Sequence, residues 1–295
     1  MADGEEPYSP EYGSLLARKN LTRTFSDRDH FEAVLNYVVD TNRFTIAVVF
    51  PIIGAGLLLA SAEQLLPSVL AFNPYLVLVG VFVMRLPLVS GILPLIGRRA
   101  GAALAVLFGY TYAIEYIGAT TGFPYGEFSY SVSLGPMLLG TIPLALPLFF
   151  VPLVVNSYLL CLLVLGPRAN SPALRIPAVA ATVVAVDLVL DPGAVALGFW
   201  SFGDGGFYGV PPMNYAGWVL SAIVATLLID AAFDRTALLS RVRNCPYMLD
   251  DLVSFILLWG AINAFYHAWA PFALAVGFGV ALLSTDHFDF DVRPI

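Results

Sequence analysis

Asp187 and Asp191 stand four residues apart in an apolar stretch, so a helix there puts both carboxyl groups on one face. Glu115 interrupts a second apolar stretch and Arg85 a third, while Asn156 and Asn263 add neutral polarity in others. Ionisable groups are costly in such surroundings and mark candidate functional positions. Five acids (Glu115, Glu127, Asp187, Asp191 and Asp204) gather around two of these stretches against one interior cation, Arg85. Desolvation and mutual repulsion would leave some of them protonated, and a neutral carboxylic acid beside an ionised one is what general acid–base chemistry requires. Arg85 has two readings: a ligand contact, or the counter-ion of Glu115 or an Asp, present so that both can be buried. Asp230 reads as an interfacial cap or the partner of Arg235. His267 either joins the acids or is an ordinary interfacial hydrogen-bonding residue.

The segments after these acids resemble one another. Gly122-Phe123 follows Glu115 by seven residues, and Gly198-Phe199 follows Asp191 by seven; Glu127 and Asp204 then come twelve and thirteen residues after the first acid. Both segments are rich in glycine and aromatics. They read either as a weak internal repeat presenting two acidic loops to one site, or as chance similarity of composition. Phe199, Trp200, Phe207, Tyr208, Trp218 and Tyr266 are candidates for a pocket wall, or for the aromatic belt of a membrane interface.

The elements that must position these groups follow from composition. The chain has 295 residues, 59% hydrophobic and 12% charged, against about 25% charged in a soluble domain. Such a chain needs lipid as its solvent. Spans of about 20 apolar residues are expected at 44–66, 71–95, 100–118, 137–165, 174–191, 214–233, 252–267 and 271–284. The fourth is overlong and holds Pro143, Pro147 and Pro152, so its first part reads as re-entrant or kinked. Pro192 is expected to end the fifth helix. With a cytoplasmic N-terminus, thirteen of the fourteen basic residues fall on inner segments and the fourteenth is Arg85. That split predicts an all-α polytopic bundle of eight helices with both ends inside, multi-pass in the cell membrane; seven helices would put the Arg293 tail outside. The domain reading is a polar cytoplasmic arm at 1–43 with no signal-peptide core, a membrane domain at 44–285 and a short acidic tail at 286–295.

Several functions are excluded cheaply. A formal charge of −7 speaks against nucleic acid, and two cysteines, Cys161 and Cys245, rule out a disulfide scaffold. A retinal Schiff base needs a lysine within a helix, and the only lysine is Lys19 in the arm. His30, His267 and His287 do not supply paired intramembrane haem ligands. A prenyltransferase would use an Asp-rich motif to hold diphosphate through magnesium, but there is one such motif and no outer Lys or Arg. An ion-coupled transporter competes, though the polar residues collect at one face instead of forming a path across. The chemistry that remains needs acids, aromatics, water and an apolar substrate, with no metal or redox cofactor. Protonation of an isoprenoid double bond, followed by capture of the tertiary cation by water, fits that description.

The stretch Glu115-Tyr116-Ile117-Gly118-Ala119-Thr120-Thr121-Gly122-Phe123-Pro124-Tyr125-Gly126 resembles the signature of the membrane carotenoid hydratases. So does Asp187-Leu188-Val189-Leu190-Asp191-Pro192, followed by Trp200 and by Gly206-Phe207-Tyr208-Gly209-Val210-Pro211-Pro212 with Asn214-Tyr215. The resemblance runs from about Phe44 to the C-terminus. It implies cofactor-independent hydration of the terminal double bonds of a long carotenoid. The implied partners are that carotenoid, water and the bilayer, with other enzymes of carotenoid biosynthesis as candidates. From the chemistry, Asp187 or Asp191 is the expected proton donor and Glu115 positions water or acts as base. Glu127 and Asp204 orient water or relay protons. Arg85, Asn156, Phe199, Trp200, Phe207, Tyr208, Asn214, Tyr266 and His267 are the expected substrate contacts.

Overall fold

The computed structural model describes residues 28–203 and 205–285. Most of the expected arm (1–27), all of the tail (286–295) and Asp204 lie outside the described residues. Ten α-helices run in order: α1 Arg28–Thr41, α2 Phe50–Ala62, α3 Pro74–Ile92, α4 Arg98–Thr121, α5 Pro147–Leu165, α6 Pro172–Leu197, α7 Pro212–Ala232, α8 Arg235–Asn244, α9 Asp250–Phe265 and α10 Trp269–Leu283. A wide helical turn, Thr45–Val49, leads into α2. Six segments are long and apolar enough to cross a bilayer: Thr45–Ala62, Pro74–Leu95, Arg98–Thr121, Pro147–Asn170, Pro172–Leu197 and Pro212–Ala232. The protein is an all-α membrane bundle.

Local signals account for the helix ends. Proline opens α3, α5, α6 and α7, where its missing N–H costs nothing. Asn73 caps α3 by accepting from the Tyr75 and Leu76 amides at 3.0 and 3.3 Å. The helices that carry the acids, α4 and α6, both stop on a left-handed glycine, Gly122 at φ +76° and Gly198 at φ +78°. A side chain is disfavoured there.

The bundle centres on α5, which packs against α3, α4, α6, α7, α8 and α9. The last two helices are short, but each of the eight expected apolar stretches contains a helix. Residues 266–268 turn α9 back onto α10, and a Cβ on Gly260 would lie 3.4 Å from Ala275 Cβ. The loops 63–73, 122–146, 198–211 and 266–268 meet at one end: Tyr130 pairs with Trp200, the Phe72 and Phe199 rings lie 5.4 Å apart, and Tyr266 hydrogen-bonds Glu63 at 3.3 Å. The arginine-rich connections share the other.

Several local expectations are corrected. Residues 137–143 do not begin a span: Met137–Leu138 (β2) pairs antiparallel with Ile142–Pro143 (β3), and helix resumes only at Pro147. Pro143 cannot donate within a helix, and Gly140 turns the hairpin at φ +68°. The fifth span does not stop at Pro192; α6 continues through it to Leu197. Beside it Asn263 Nδ2 donates to the Val189 carbonyl at 2.8 Å, fastening α9 to α6 within one turn of the proline. Asp230 pairs with Arg175 at 2.5 Å, not with Arg235, and also accepts from Tyr158 at 2.6 Å. Arg235 lies beyond the extended cap at Phe233, whereas the first turn of α6 sets Arg175 against α7. Residues 28–41, expected as part of a polar arm, form α1. This helix docks through Asn36, whose Oδ1 accepts from Ser90 at 2.6 Å and Tyr247 at 2.7 Å.

Candidate active site

The helix α6 carries Asp187 and Asp191 one turn apart on a single face. Both are buried, and neither has a salt bridge among the described residues. Their common partner is Asn214, in the first turn of α7. Its Nδ2 donates to Asp187 Oδ2 at 2.9 Å and to Asp191 Oδ2 at 2.5 Å. The other Asp187 oxygen has no hydrogen-bond partner among the described residues. Two buried carboxylates on one neutral amide cannot both carry charge without cost, so the arrangement suits a pair that holds a proton between them.

Opposite, α4 carries Glu115, buried and accepting a short hydrogen bond from the Tyr130 hydroxyl. Tyr130 is delivered by a strand: Phe128–Tyr130 (β1) pairs antiparallel with Trp200–Phe202 (β4), setting Tyr130 opposite Trp200. The two loops that resemble each other in sequence are therefore joined into one ribbon over the acids. Tyr125, in the same loop, hydrogen-bonds Ser221 Oγ at 2.7 Å, and Tyr110 joins that serine at 3.0 Å. Burial first, then the nearby Glu115 carboxylate, holds the Tyr125 and Tyr130 phenols well above their usual 10.0. Both are neutral donors.

Part of this cluster, with Tyr125 and Tyr130, lines a cavity of about 160 Å³ that is otherwise mostly apolar and aromatic. Asp191, Glu115 and Asn214 reach it; Asp187 sits behind Asp191 and does not. Phe199 and Trp200 line it, and so does Trp218, stacked on Phe150 at 5.0 Å. Arg85 and Asn156 line it too. There Arg85 forms a short ion pair with Asp251, whose other oxygen accepts from Asn156 Nδ2 at 2.5 Å. Arg85 thus pairs with an aspartate, but not with one of the five loop-end acids.

The remaining expected contacts lie away from the cavity. Phe207 and Tyr208 form an exposed edge-to-face pair, with centroids 4.7 Å apart. Tyr266 hydrogen-bonds Glu63 at 3.3 Å, and His267 occupies the turn between α9 and α10, its ring 5.5 Å from Trp269. Glu127 meets the ribbon through its backbone, its carbonyl accepting from the Gly203 amide at 3.1 Å. Among the described residues no three His, Cys, Asp or Glu side chains gather as a metal site.

Sequence reasoning passed over Tyr125, Tyr130, Ser221 and Asp251. Asp251 carried a readable signal, since Asp250-Asp251 directly precedes an apolar run. Tyr125 stands in the signature stretch Glu115–Gly126 but was given no role, and Tyr130 carried no signal, because a loop phenol reads the same whether it faces water or a buried carboxylate.

A family model described as carotenoid biosynthesis protein matches residues 72–282. Bisanhydrobacterioruberin hydratase of Haloarcula japonica is 64% identical over 254 residues, covering 86% of this chain and 87% of that protein. No solved structure matches the chain.

Proposed function

The chain belongs to the carotenoid biosynthesis protein family, and from that premise we propose that it hydrates the terminal isoprenoid double bonds of a long carotenoid, converting bisanhydrobacterioruberin to bacterioruberin. The observation that carries the chemistry is the Asp187–Asp191–Asn214 cluster gathered with Glu115 and Tyr130 at an apolar cavity. Asp191 is the donor, because it reaches the cavity. Its proton adds to the less substituted alkene carbon, and the tertiary neighbour becomes a cation, stabilised by the faces of Trp200, Trp218 and other ring walls. The oxygen of a water molecule bonds to that carbon, and the proton it sheds passes to Glu115, oriented by Tyr130. Proton return from Glu115 to Asp191 closes the cycle, with one water added and no electrons exchanged. Asp187 acts on Asp191 through its charge and the amide they both engage. Glu127 and Asp204 are proposed to supply water from the loops.

In this reading the chain crosses the cell membrane eight times with both ends cytoplasmic, and the acids face the outer side. The carotenoid lies in the bilayer with one end in the cavity, and other enzymes of its biosynthesis are candidate neighbours.

The test uses membranes containing the full-length protein and the anhydro-carotenoid. Products one and two waters heavier are expected, with oxygen from labelled water in the new hydroxyl groups and no added nucleotide, oxygen or metal. A strict requirement for magnesium, or movement of the carotenoid without chemical change, overturns the reading.

A further inference from the structure

Asn156 is 3% exposed and sits on the cavity wall, yet its Oδ1 has no hydrogen-bond partner among the described residues. The side chain is not free to turn and find one. Its Nδ2 is committed to Asp251 Oδ2 at 2.5 Å; Asp251 is held in turn by Arg85, and Arg85 Nε is tied to the Leu148 carbonyl at 3.2 Å. A chain of four groups from α3, α5 and α9 therefore fixes one buried acceptor with its capacity unused. Such an acceptor is costly to leave unpaired, and the partner it lacks is a donor. Hydroxyl hydrogens meet that need, and water is the smallest molecule that carries them.

The position suits the reaction. Asp191 and Glu115 lie six residues in from the loop ends of α6 and α4, about 9 Å, whereas Asn156 lies nine residues into α5, about 13 Å. The cation forms on the terminal, branched carbon of the isoprenoid, one bond beyond the carbon that receives the proton. A chain end that dips in between the helices near their loop ends, with the rest of the polyene in the bilayer, brings that terminal carbon deepest, past the acids and toward α5. The geometry points to Asn156 Oδ1 as the seat of the water that captures the cation. This inference rests on the hydration reading above. Asn156 accepts one hydrogen of the water; the water's oxygen bonds to the tertiary carbon, and its second hydrogen leaves as the proton taken by the carboxylate base.

A water seat and a proton donor fail differently, which makes the role measurable. When capture is slow, the cation returns to alkene by losing a proton. In deuterated water the alkene carbon beside the branch then picks up deuterium without being hydrated. In membranes with the full-length protein, Asn156→Leu should reduce hydration by about tenfold or more, the loss of one buried hydrogen bond. Deuterium uptake into unhydrated carotenoid should persist and its ratio to hydration should rise. Asn156→Ser, which keeps an oxygen acceptor, should recover part of the hydration. Asp191→Asn should lose hydration and deuterium uptake together. An Asn156→Leu protein in which both fall in parallel overturns the water seat. If that variant does not accumulate, Asn156→Ser decides, and an uptake-to-hydration ratio equal to the parent's overturns it. A parent protein that neither hydrates nor exchanges overturns the hydration reading itself.

Discussion

Asp187 and Asp191 share one amide but not one environment, and that difference orders their roles. Asp191 lines the cavity, whereas Asp187 is fully buried behind it. Asp191→Asn keeps the shape and removes the titratable proton, so the hydration rate should fall by about a hundredfold or more. Asp187→Asn should cost less, about tenfold, since it perturbs the donor through a shared hydrogen bond. Rates normalised to protein level check the order, and equal losses would contradict it. If both variants and Glu115→Gln fold and turn over normally, the chemistry belongs in the loops. The tyrosines yield a prediction of their own. Their phenols are favoured neutral in the fold, while the unfolded chain ionises them near 10.0. The stability this gives is whole below that pH and is lost above it. Thermal unfolding in detergent should move to lower temperature as pH rises past 10.0, and less so in Tyr130→Phe. At this scale the acids were legible because charge is conspicuous in apolar sequence. The neutral donors that hold them were not.

The ribbon of β1 and β4 is the element that converts two separate loops into one roof. Ser129 and Ser201 face each other across it, their hydroxyls 3.4 Å apart, both exposed. Directly opposed residues in an antiparallel pair lie within disulfide reach. The double variant Ser129→Cys with Ser201→Cys should therefore cross-link under mild oxidation, detected as a mobility shift reversed by reductant. The native Cys161 and Cys245 are buried and should not compete. The ribbon is also seated from below, because a Cβ on Gly217 would come 2.5 Å from the Tyr125 ring and 2.9 Å from the Pro124 carbonyl. Gly217→Ala should displace Tyr125 and destabilise the protein by about 1–3 kcal/mol, read as a lower unfolding temperature. The helices were legible from runs of apolar residues, and the paired Gly-Phe spacing did mark two loops that meet. The small hairpin at 137–143 was not, since its apolar residues and prolines look like a kinked span. Nor was the passage of α6 through Pro192, since a proline inside an apolar run reads as a helix end unless its packing is known.

For the molecule as a whole, the gathering of the basic residues on one set of connections predicts its orientation. A cysteine placed in the tail after residue 285 should be shielded from an impermeant reagent in intact cells, and labelling there would reverse the assignment. The bundle was readable from composition, but its internal wiring was not. Asp250 and Asp251 precede an apolar run and look like part of an inner loop, so nothing in the sequence singles out Asp251 as the aspartate that Arg85 pairs with. Those two aspartates have a consequence for how the protein is made. Both are fully buried at the start of α9, and their counter-ions arrive from far upstream: Arg43 reaches Asp250 at 2.8 Å, and Arg85 is paired with Asp251. A ribosome therefore delivers the cations some two hundred and some one hundred and sixty residues before the anions that neutralise them. The α9–α10 hairpin, made of two short helices with a charged doorstep, has little reason to enter lipid alone. Its insertion should wait for a groove already lined with arginine, making the end of the chain a reporter on the assembly of its beginning. In a truncation series, Arg85→Leu should leave the earlier spans inserted and strand this hairpin outside the bilayer, where protease reaches it.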